Sequence, residues 1–531
     1  MTIHAITRRP SLTQLRRAGL AGVAAPLALL AGLAPAAGAA TVIGRPPGPP
    51  GPSWSITPTP NPPGATGVLR AVSCTAANAC TAVGTSTSFG HPLQAVAERW
   101  NGTSWTIQPT NPAFSSSNTL FNGVSCPSAS SCVAVGQVAG FAVSELWNGK
   151  TWNLTPAMLK PGSAVSSTAN SVSCTSASSC MAVGSYTDSA NIEHTLAYLW
   201  NGSFWELQTT QDPFGAAFDT LNSVSCASAT SCLGVGGNGK SPLYEGWNGS
   251  TWSAAFGIAN NSTGAAFAGA SCRSTTTCYA VGENFNLAGE FTLANLINPT
   301  GHGVAFFTTP SPGKNISLLG AVSCPGGPVA ARELPGCVAV GKDNSFSGTF
   351  VTHAEAFDGI SPPNGWSTMS IPTPTNPSGT PIAASLNGIS CTSTTNCIAV
   401  GSDTAGTLAE QLTAASGPHA LSITRRGEVL ALLRRPRTLE LLVFRLGRRG
   451  GRLLGAVALG HHRKGRSRIR WNLHLAGHRL AAGTYMAELV AALPHGTTTG
   501  PAVTFNLPYP TGPIRVLSAT CSVAAATRVR C

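Results

Sequence analysis

The most regularly spaced reactive residues of this chain are its sixteen cysteines. Cys74/Cys80, Cys126/Cys132, Cys174/Cys180, Cys226/Cys232, Cys272/Cys278 and Cys391/Cys397 share one spacing, with five residues between partners. Cys324/Cys337 is the same pair with a longer insert, and Cys521/Cys531 lies near the C-terminus. Such thiols could bind zinc or oxidise to disulfides. A structural zinc site wants four convergent ligands at two-to-four-residue spacing, and no histidine recurs beside these pairs. Local disulfides are therefore expected, each closing a small loop worth about 2 kcal/mol.

Other chemistries find less support. The acids of the repeated region are few and read as aperiodic. His91, His194, His302 and His353 are scattered, and Arg70, Arg99, Arg273 and Arg332 fall at unrelated repeat positions. No glycine-rich phosphate loop precedes a helix. No catalytic, cofactor-binding or metal-binding residue is predicted, and no cofactor. His461-His462, His474 and His478 fit a basic, strand-rich surface better than a metal site.

Charge is divided along the chain. Residues 41–417 carry a net charge of −6 and residues 418–531 a net charge of +15. The candidate binding residues are Arg434, Arg435, Arg437, Arg448, Arg449, Arg452, Arg463, Lys464, Arg466 and Arg468, grouped in three runs expected at turns. Outside a cell their partners would be anionic envelope polymers. The competing reading is a merely solvated basic surface. Dedicated nucleic-acid binding is not expected, because export and the lack of a reading motif oppose it.

These residues must be positioned by repeated elements. The first cysteines fall at 74, 126, 174, 226, 272, 324 and 391, a period near fifty residues that suits propeller blades. Each copy runs through Val-Ser-Cys, as at Val72-Ser73-Cys74, to Cys-x-Ala-Val-Gly, as at Cys132-Val133-Ala134-Val135-Gly136, which predicts a cysteine-pinned hairpin. A second hairpin surrounds Trp-Asn-Gly-x-x-Trp, as at Trp100-Asn101-Gly102 with Trp105. There Asn-Gly predicts a type I′ turn with both residues at positive φ. In copy five Asn298-Pro299 leads to Phe306, taken as the equivalent aromatic. The repeated tryptophans are expected to pack blade against blade; exposed indoles would instead stack on sugars. Copy seven lacks its last strand, and Ser53-Trp54-Ser55-Ile56-Thr57 supplies one ahead of copy one, an offset that a closed ring needs.

These motifs resemble a group of secreted repeat proteins of high-GC Gram-positive bacteria, marked by Val-Ser-Cys-x5-Cys-x-Ala-Val-Gly and Trp-Asn-Gly-x-x-Trp. The resemblance covers roughly residues 54–412 and implies no known activity. Leu480-Ala481-Ala482-Gly483-Thr484-Tyr485, with expected strands at 439–446, 469–473 and 484–490, resembles the small immunoglobulin-like sandwiches of bacterial surface and flagellar-hook proteins.

The N-terminus completes the picture. Arg8, Arg9, Arg16 and Arg17 precede an apolar stretch from Gly19 to Leu33 and the small residues Ala37-Gly38-Ala39, which predicts a cleaved export signal over 1–40. Thr7-Arg8-Arg9-Pro10-Ser11-Leu12 resembles a twin-arginine signal, with Ser11 departing from the pattern. No second stretch approaches the length of a membrane helix. The expected organisation is all-β: signal 1–40, linker 41–53, a seven-bladed β-propeller with one hairpin disulfide per blade over 54–417, a small immunoglobulin-like β-sandwich over 418–507, and a disulfide-closed tail over 508–531. The expected protein is a secreted or envelope-associated, monomeric, non-enzymatic binder of an unknown protein or glycan. A glycan-active enzyme or lectin using the propeller face is the alternative.

Overall fold

The computed structural model describes residues 52–530 with breaks, the longest at 258–263, 326–335, 358–364, 414–419 and 508–514. The expected signal and nearly all of the expected linker lie outside the described residues. So do Cys521 and Cys531.

Residues 53–413 form seven four-stranded antiparallel sheets among the described residues. In sheet 1, strands Thr66–Ala76, Ala79–Thr87, Gln94–Trp100 and Trp105–Gln108 follow one another as neighbours. Sheets 2 to 6 repeat that order over 119–154, 164–208, 220–257, 264–307 and 317–368. Sheet 7 is composite. Strands Ala384–Ser393, Asn396–Asp403 and Gly406–Thr413 take their fourth partner from Ser53–Thr57, with Trp54 opposite Leu412. The first strand of each sheet packs against that of the next, and the first strand of sheet 7 packs against that of sheet 1. The arrangement is propeller-like.

Why Val-Ser-Cys recurs is visible at these contacts. The serine hydroxyl before each first cysteine accepts a hydrogen bond from the backbone N–H of the first cysteine in the next sheet. Ser73 accepts from Cys126, Ser125 from Cys174, Ser173 from Cys226, Ser225 from Cys272, Ser271 from Cys324 and Ser323 from Cys391, all at 2.9–3.0 Å. Ser390 then accepts from Cys74 at 2.9 Å and closes the cycle.

The glycine of Ala-Val-Gly has an equally local cause. Every first strand carries a β-bulge, between Leu69 and Ala71 in sheet 1 and at the matching place in the other six. The bulge presses a backbone carbonyl against the second strand. A Cβ on Gly84 would overlap Val68 O, and the equivalent overlap occurs at Gly136, Gly184, Gly236, Gly282, Gly341 and Gly401.

The Trp-Asn-Gly turn differs from the type I′ expectation. Gly102, Gly149, Gly202 and Gly249 have positive φ, but the preceding asparagines do not. Asn101 Oδ1 instead accepts from the N–H groups of Thr103 and Ser104 at 2.8 and 2.9 Å, an Asx turn within a four-residue loop. In sheet 5 the residue opposite Ile297 is Val304, so Phe306 lies two residues beyond the position of the second tryptophan.

In the C-terminal region a three-stranded sheet (Ala420–Ile423, Glu428–Leu433, Gly465–Arg470) accompanies a five-stranded sheet built on Arg437–Gly447 and Gly483–Leu493. Val429 and Ile469 of the first share a buried core with Leu439, Leu441, Val443, Ala487 and Leu489 of the second. Tyr485 donates its hydroxyl to Ala481 O at 2.7 Å. The strand expected over 469–473 ends at Arg470, and Leu473, at φ 60°, has left the extended conformation.

If the serine cycle is closed, Ser390→Ala removes a link equivalent to Ser125→Ala. Each leaves a partly buried N–H unpaired and should lower stability by about 1–3 kcal/mol in denaturant titration. An effect of Ser125→Ala with none from Ser390→Ala would mean that the ends of the array are not joined.

Candidate functional site

The fourteen cysteines of the repeats are bonded as seven local pairs, Cys74–Cys80, Cys126–Cys132, Cys174–Cys180, Cys226–Cys232, Cys272–Cys278, Cys324–Cys337 and Cys391–Cys397. Disulfides in such number suit a protein of an oxidising, extracellular compartment. No helix among the described residues is long and apolar enough to cross a membrane.

The tryptophans are buried. Trp100 and Trp105 meet at 5.6 Å between ring centroids, Trp147 and Trp152 at 5.7 Å, Trp200 and Trp205 at 5.3 Å, and Trp247 and Trp252 at 5.8 Å. Tilted pairs of this kind contribute about 0.5–1.5 kcal/mol beyond the area they bury. Trp100, Trp200 and Trp247 also donate to Ala77 O, Ala177 O and Ala229 O beside the cysteine turns. These indoles pack the sheets and present no faces to sugars.

The reading of the acids as aperiodic is overturned. Glu98, Glu145, Glu245, Glu355 and Glu410 occupy one position in sheets 1, 2, 4, 6 and 7, two residues before the third-strand residue that faces the second cysteine, and each is at most 1% exposed. Sheets 3 and 5 place Tyr198 and Asn295 there. The signal was present as Glu-x-Trp in three copies, but replacement of the tryptophan by Phe357 and Leu412 hides it in two others. Glu145 accepts from Asn111 N–H and Glu245 from Gln211 N–H, both at 3.2 Å and both across to the preceding sheet. Burial pushes Glu98, Glu245 and Glu410 up to about 8 and Glu145 up to about 7. The hydroxyls of Thr407 and Thr352 favour the ionised forms of Glu98 and Glu410, but neither carboxyl has a partner at good hydrogen-bonding geometry, so burial prevails.

Two of the scattered histidines are clamped between carboxylates. His353 holds Asp343 through Nδ1 and Glu355 through Nε2, both at 2.9 Å. Burial opposes its charge, yet the two carboxylates prevail and raise it to about 9. His194 lies between Asp212, 2.9 Å from Nδ1, and Asp188, 3.3 Å from Nε2, with Tyr186 stacked 4.8 Å away. Its pKa is likewise raised, against desolvation, by these acids. With both ring nitrogens engaged, neither histidine offers a free nitrogen to a substrate. His302 lies outside the described residues. Among those residues no group of three or more metal-ligating side chains is brought together.

A cavity of about 180 Å³ sits where the seven first strands converge, and its lining draws three consecutive residues from every sheet. The bulge residues are Arg70, Asn122, Asn170, Asn222, Ala268, Gly320 and Asn387. The next position is small throughout, because a Cβ on Gly123, Gly269 or Gly388 would come within 2.9 Å of the adjacent strand's backbone. The asparagine side-chain N–H groups of Asn122, Asn170, Asn222 and Asn387 donate to Ala169 O, Leu221 O, Phe267 O and Leu69 O at 2.9–3.1 Å. Sequence reasoning grouped Arg70 with unrelated arginines and missed this ring, because a bulge residue carries no mark in a single copy.

Of the basic candidates, Arg463, Arg466 and Arg468 are exposed, the last two on the edge strand Gly465–Arg470 together with exposed Arg470. Arg437 and Arg452 lie on neighbouring strands of the five-stranded sheet. Arg434, Arg435, Arg448, Arg449 and Lys464 lie outside the described residues.

The buried glutamates give a pH dependence. Their folded pKa values lie above the ordinary 4.5, so their contribution is complete below about pH 4.5 and is lost as pH rises through 7–8. The melting temperature should fall from pH 5 to pH 9. Glu98→Gln with Glu410→Gln should match the wild type near pH 5 and exceed it at pH 9; equal melting at both pH values would remove the glutamates as the cause.

No protein-family model matches the chain, and no curated protein matches it in sequence. Among solved structures it is similar to a xyloglucanase of family GH74 from Xanthomonas campestris, at 10% identity and a TM-score of 0.43 over 88% of each chain. It is also similar to a protein of unknown function from Dyadobacter fermentans, at 12% identity and a TM-score of 0.39, over 58% of this chain and 98% of that one. A fucose-specific lectin from Aleuria aurantia gives 12% identity and a TM-score of 0.35, over 60% of this chain and 99% of the lectin. Likeness at this level assigns neither an activity nor a ligand.

Proposed function

We propose that the chain is a secreted or envelope-associated, non-enzymatic binding protein, a seven-bladed propeller over 54–417 followed by a basic immunoglobulin-like sandwich over 418–507. The cyclic serine–cysteine hydrogen bonds support the closed ring. The shared core of two sheets and the Tyr485 hydroxyl bond to the backbone four residues upstream, which has the form of a tyrosine corner, support the sandwich. The propeller serves as the scaffold for a protein or glycan partner, and the sandwich attaches the molecule to anionic envelope polymers.

Attachment rests on one observation above the others: Arg466, Arg468 and Arg470 lie exposed on alternate positions of one edge strand, with buried Ile469 facing the core. Alternation places all three guanidiniums on one face at a spacing of roughly 7 Å, suited to successive charges of an extended polyanion. A binder is favoured over a glycan-active enzyme because no carboxylate lines the central cavity and both described carboxylate-held histidines have their ring nitrogens engaged.

Sedimentation with isolated cell walls tests the attachment. Raising ionic strength from about 0.05 to about 0.5 M shortens the screening length severalfold and should release the wild-type protein. The combined change Arg466→Gln, Arg468→Gln and Arg470→Gln should weaken binding at low salt by at least tenfold without altering the melting temperature. Salt-indifferent binding, or equal binding of the variant, would leave these arginines as charges that only keep a sheet edge soluble.

A further inference from the structure

The central ring departs from its own repeat in an uneven way. Four bulge positions carry asparagine, and each asparagine ties its sheet to the next. Sheets 5 and 6 instead carry Ala268 and Gly320, and sheet 1 carries Arg70. A ring selected only for closure gains nothing from these three exchanges. Two of them omit the tie, and the third brings a charge into a confined space.

The omissions open a second space. A cavity of about 150 Å³, lined in part by Glu283 and Lys342, shares Asn222, Ala268, Gly320 and Asn387 with the central one. The two thus lie on either side of the same small residues, Ala268 and Gly320, that stand where other sheets carry asparagine. A cavity of about 150 Å³ accommodates benzene, so each of the two spaces is large enough for part of a small organic molecule.

Arg70 is the one charged side chain among the residues lining the central cavity. No hydrogen bond or ion pair reaches its guanidinium among the described residues. Its side chain is exposed to solvent, and partial desolvation by the surrounding strands pulls its pKa below the ordinary value. A guanidinium presents five donors in a fixed fork that matches a carboxylate. The asparagines have committed N–H donors to backbone; Asn170 also accepts from the Thr168 hydroxyl at 3.4 Å, which leaves the side-chain carbonyls of Asn122, Asn222 and Asn387 as acceptors for hydroxyl groups.

We propose that the centre of the ring is a binding site for a small hydroxylated carboxylate, its carboxylate on Arg70 and its hydroxyls donating to the asparagine carbonyls, its far end in the space left by Ala268 and Gly320. This assignment rests on the propeller being a binder and is independent of the basic sandwich. A neutral polyol leaves the guanidinium unmatched. A compact phosphate matches the charge but leaves the acceptors and the adjoining cavity unused.

The test is isothermal titration of the full exported chain with D-glycerate, D-glucuronate, inorganic phosphate and D-glucose, alongside Arg70→Gln and Ala268→Asn. The expected result is saturable binding of at least one of the two hydroxy acids, at least tenfold tighter than phosphate or glucose. Arg70→Gln should weaken it at least tenfold while leaving the melting temperature unchanged, since the side chain is exposed and makes no ion pair among the described residues. Ala268→Asn, which brings in the residue of sheets 2, 3, 4 and 7 and fills space beside the cavity, should weaken D-glucuronate binding with Arg70 intact. No binding of either acid, undiminished binding in Arg70→Gln, or phosphate binding as tightly as the acids overturns the proposal. None of these outcomes bears on wall sedimentation, so the attachment reading stands or falls separately.

Discussion

A single side-chain-to-backbone hydrogen bond, repeated at each sheet boundary, sets the geometry on which everything else depends. The serine before each first cysteine reaches the next sheet at 2.9–3.0 Å, a distance that tolerates little variation in how adjacent sheets approach. Close approach then demands the small residues beside the bulges, and the bulges demand the glycine of Ala-Val-Gly. Each donating cysteine is itself one partner of its hairpin's disulfide, which holds it in place. A motif of thirteen residues, Val72 to Gly84 in the first copy, is thus one device, in which each fixed residue answers a constraint set by another.

Farther out, the boundaries between sheets are filled by aromatic pairs and buried glutamates, of which Glu355 alone holds a histidine. The carboxyls of Glu98, Glu145, Glu245 and Glu410 lie at most 1% exposed, and their elevated pKa values express how little solvent or counter-charge they find. The carboxylate-held histidines show the opposite balance, because there two acids compensate one imidazolium. Burial and pairing therefore decide, site by site, whether an ionisable group in this protein is charged at neutral pH.

Much of the framework was legible in the sequence because it depends on spacing. Cysteine pairs at a fixed interval reveal hairpins, and a final strand placed ahead of the first copy reveals how the array could close. Features that depend on neighbours in space were not legible. The glutamates at 98, 145, 245, 355 and 410 become a set only when strand ends are aligned. Asn101 reads as a positive-φ turn residue until its side chain is seen to cap the loop. Arg70 becomes distinctive only when its six counterparts around the cavity are placed beside it, and the register that does so passes through a bulge. Of the basic runs, alternation on Gly465–Arg470 could be read from sequence, but not that this strand forms a sheet edge.

The strand Ser53–Thr57 leads the array yet belongs to its last sheet, and Thr57 bonds Ala409 O across 352 positions. Six of the seven disulfides, by contrast, join cysteines only six positions apart. Synthesis from the N-terminus therefore separates two kinds of event in time. Each thiol pair meets its partner almost as soon as both emerge, which leaves little opportunity for mismatched oxidation. The leading segment must wait, unpaired, until nearly the whole array has followed. Closing so long a loop is slow compared with forming a hairpin, so final assembly is the step at which an emerging chain is most open to capture by a chaperone or by the equivalent strand of a second molecule.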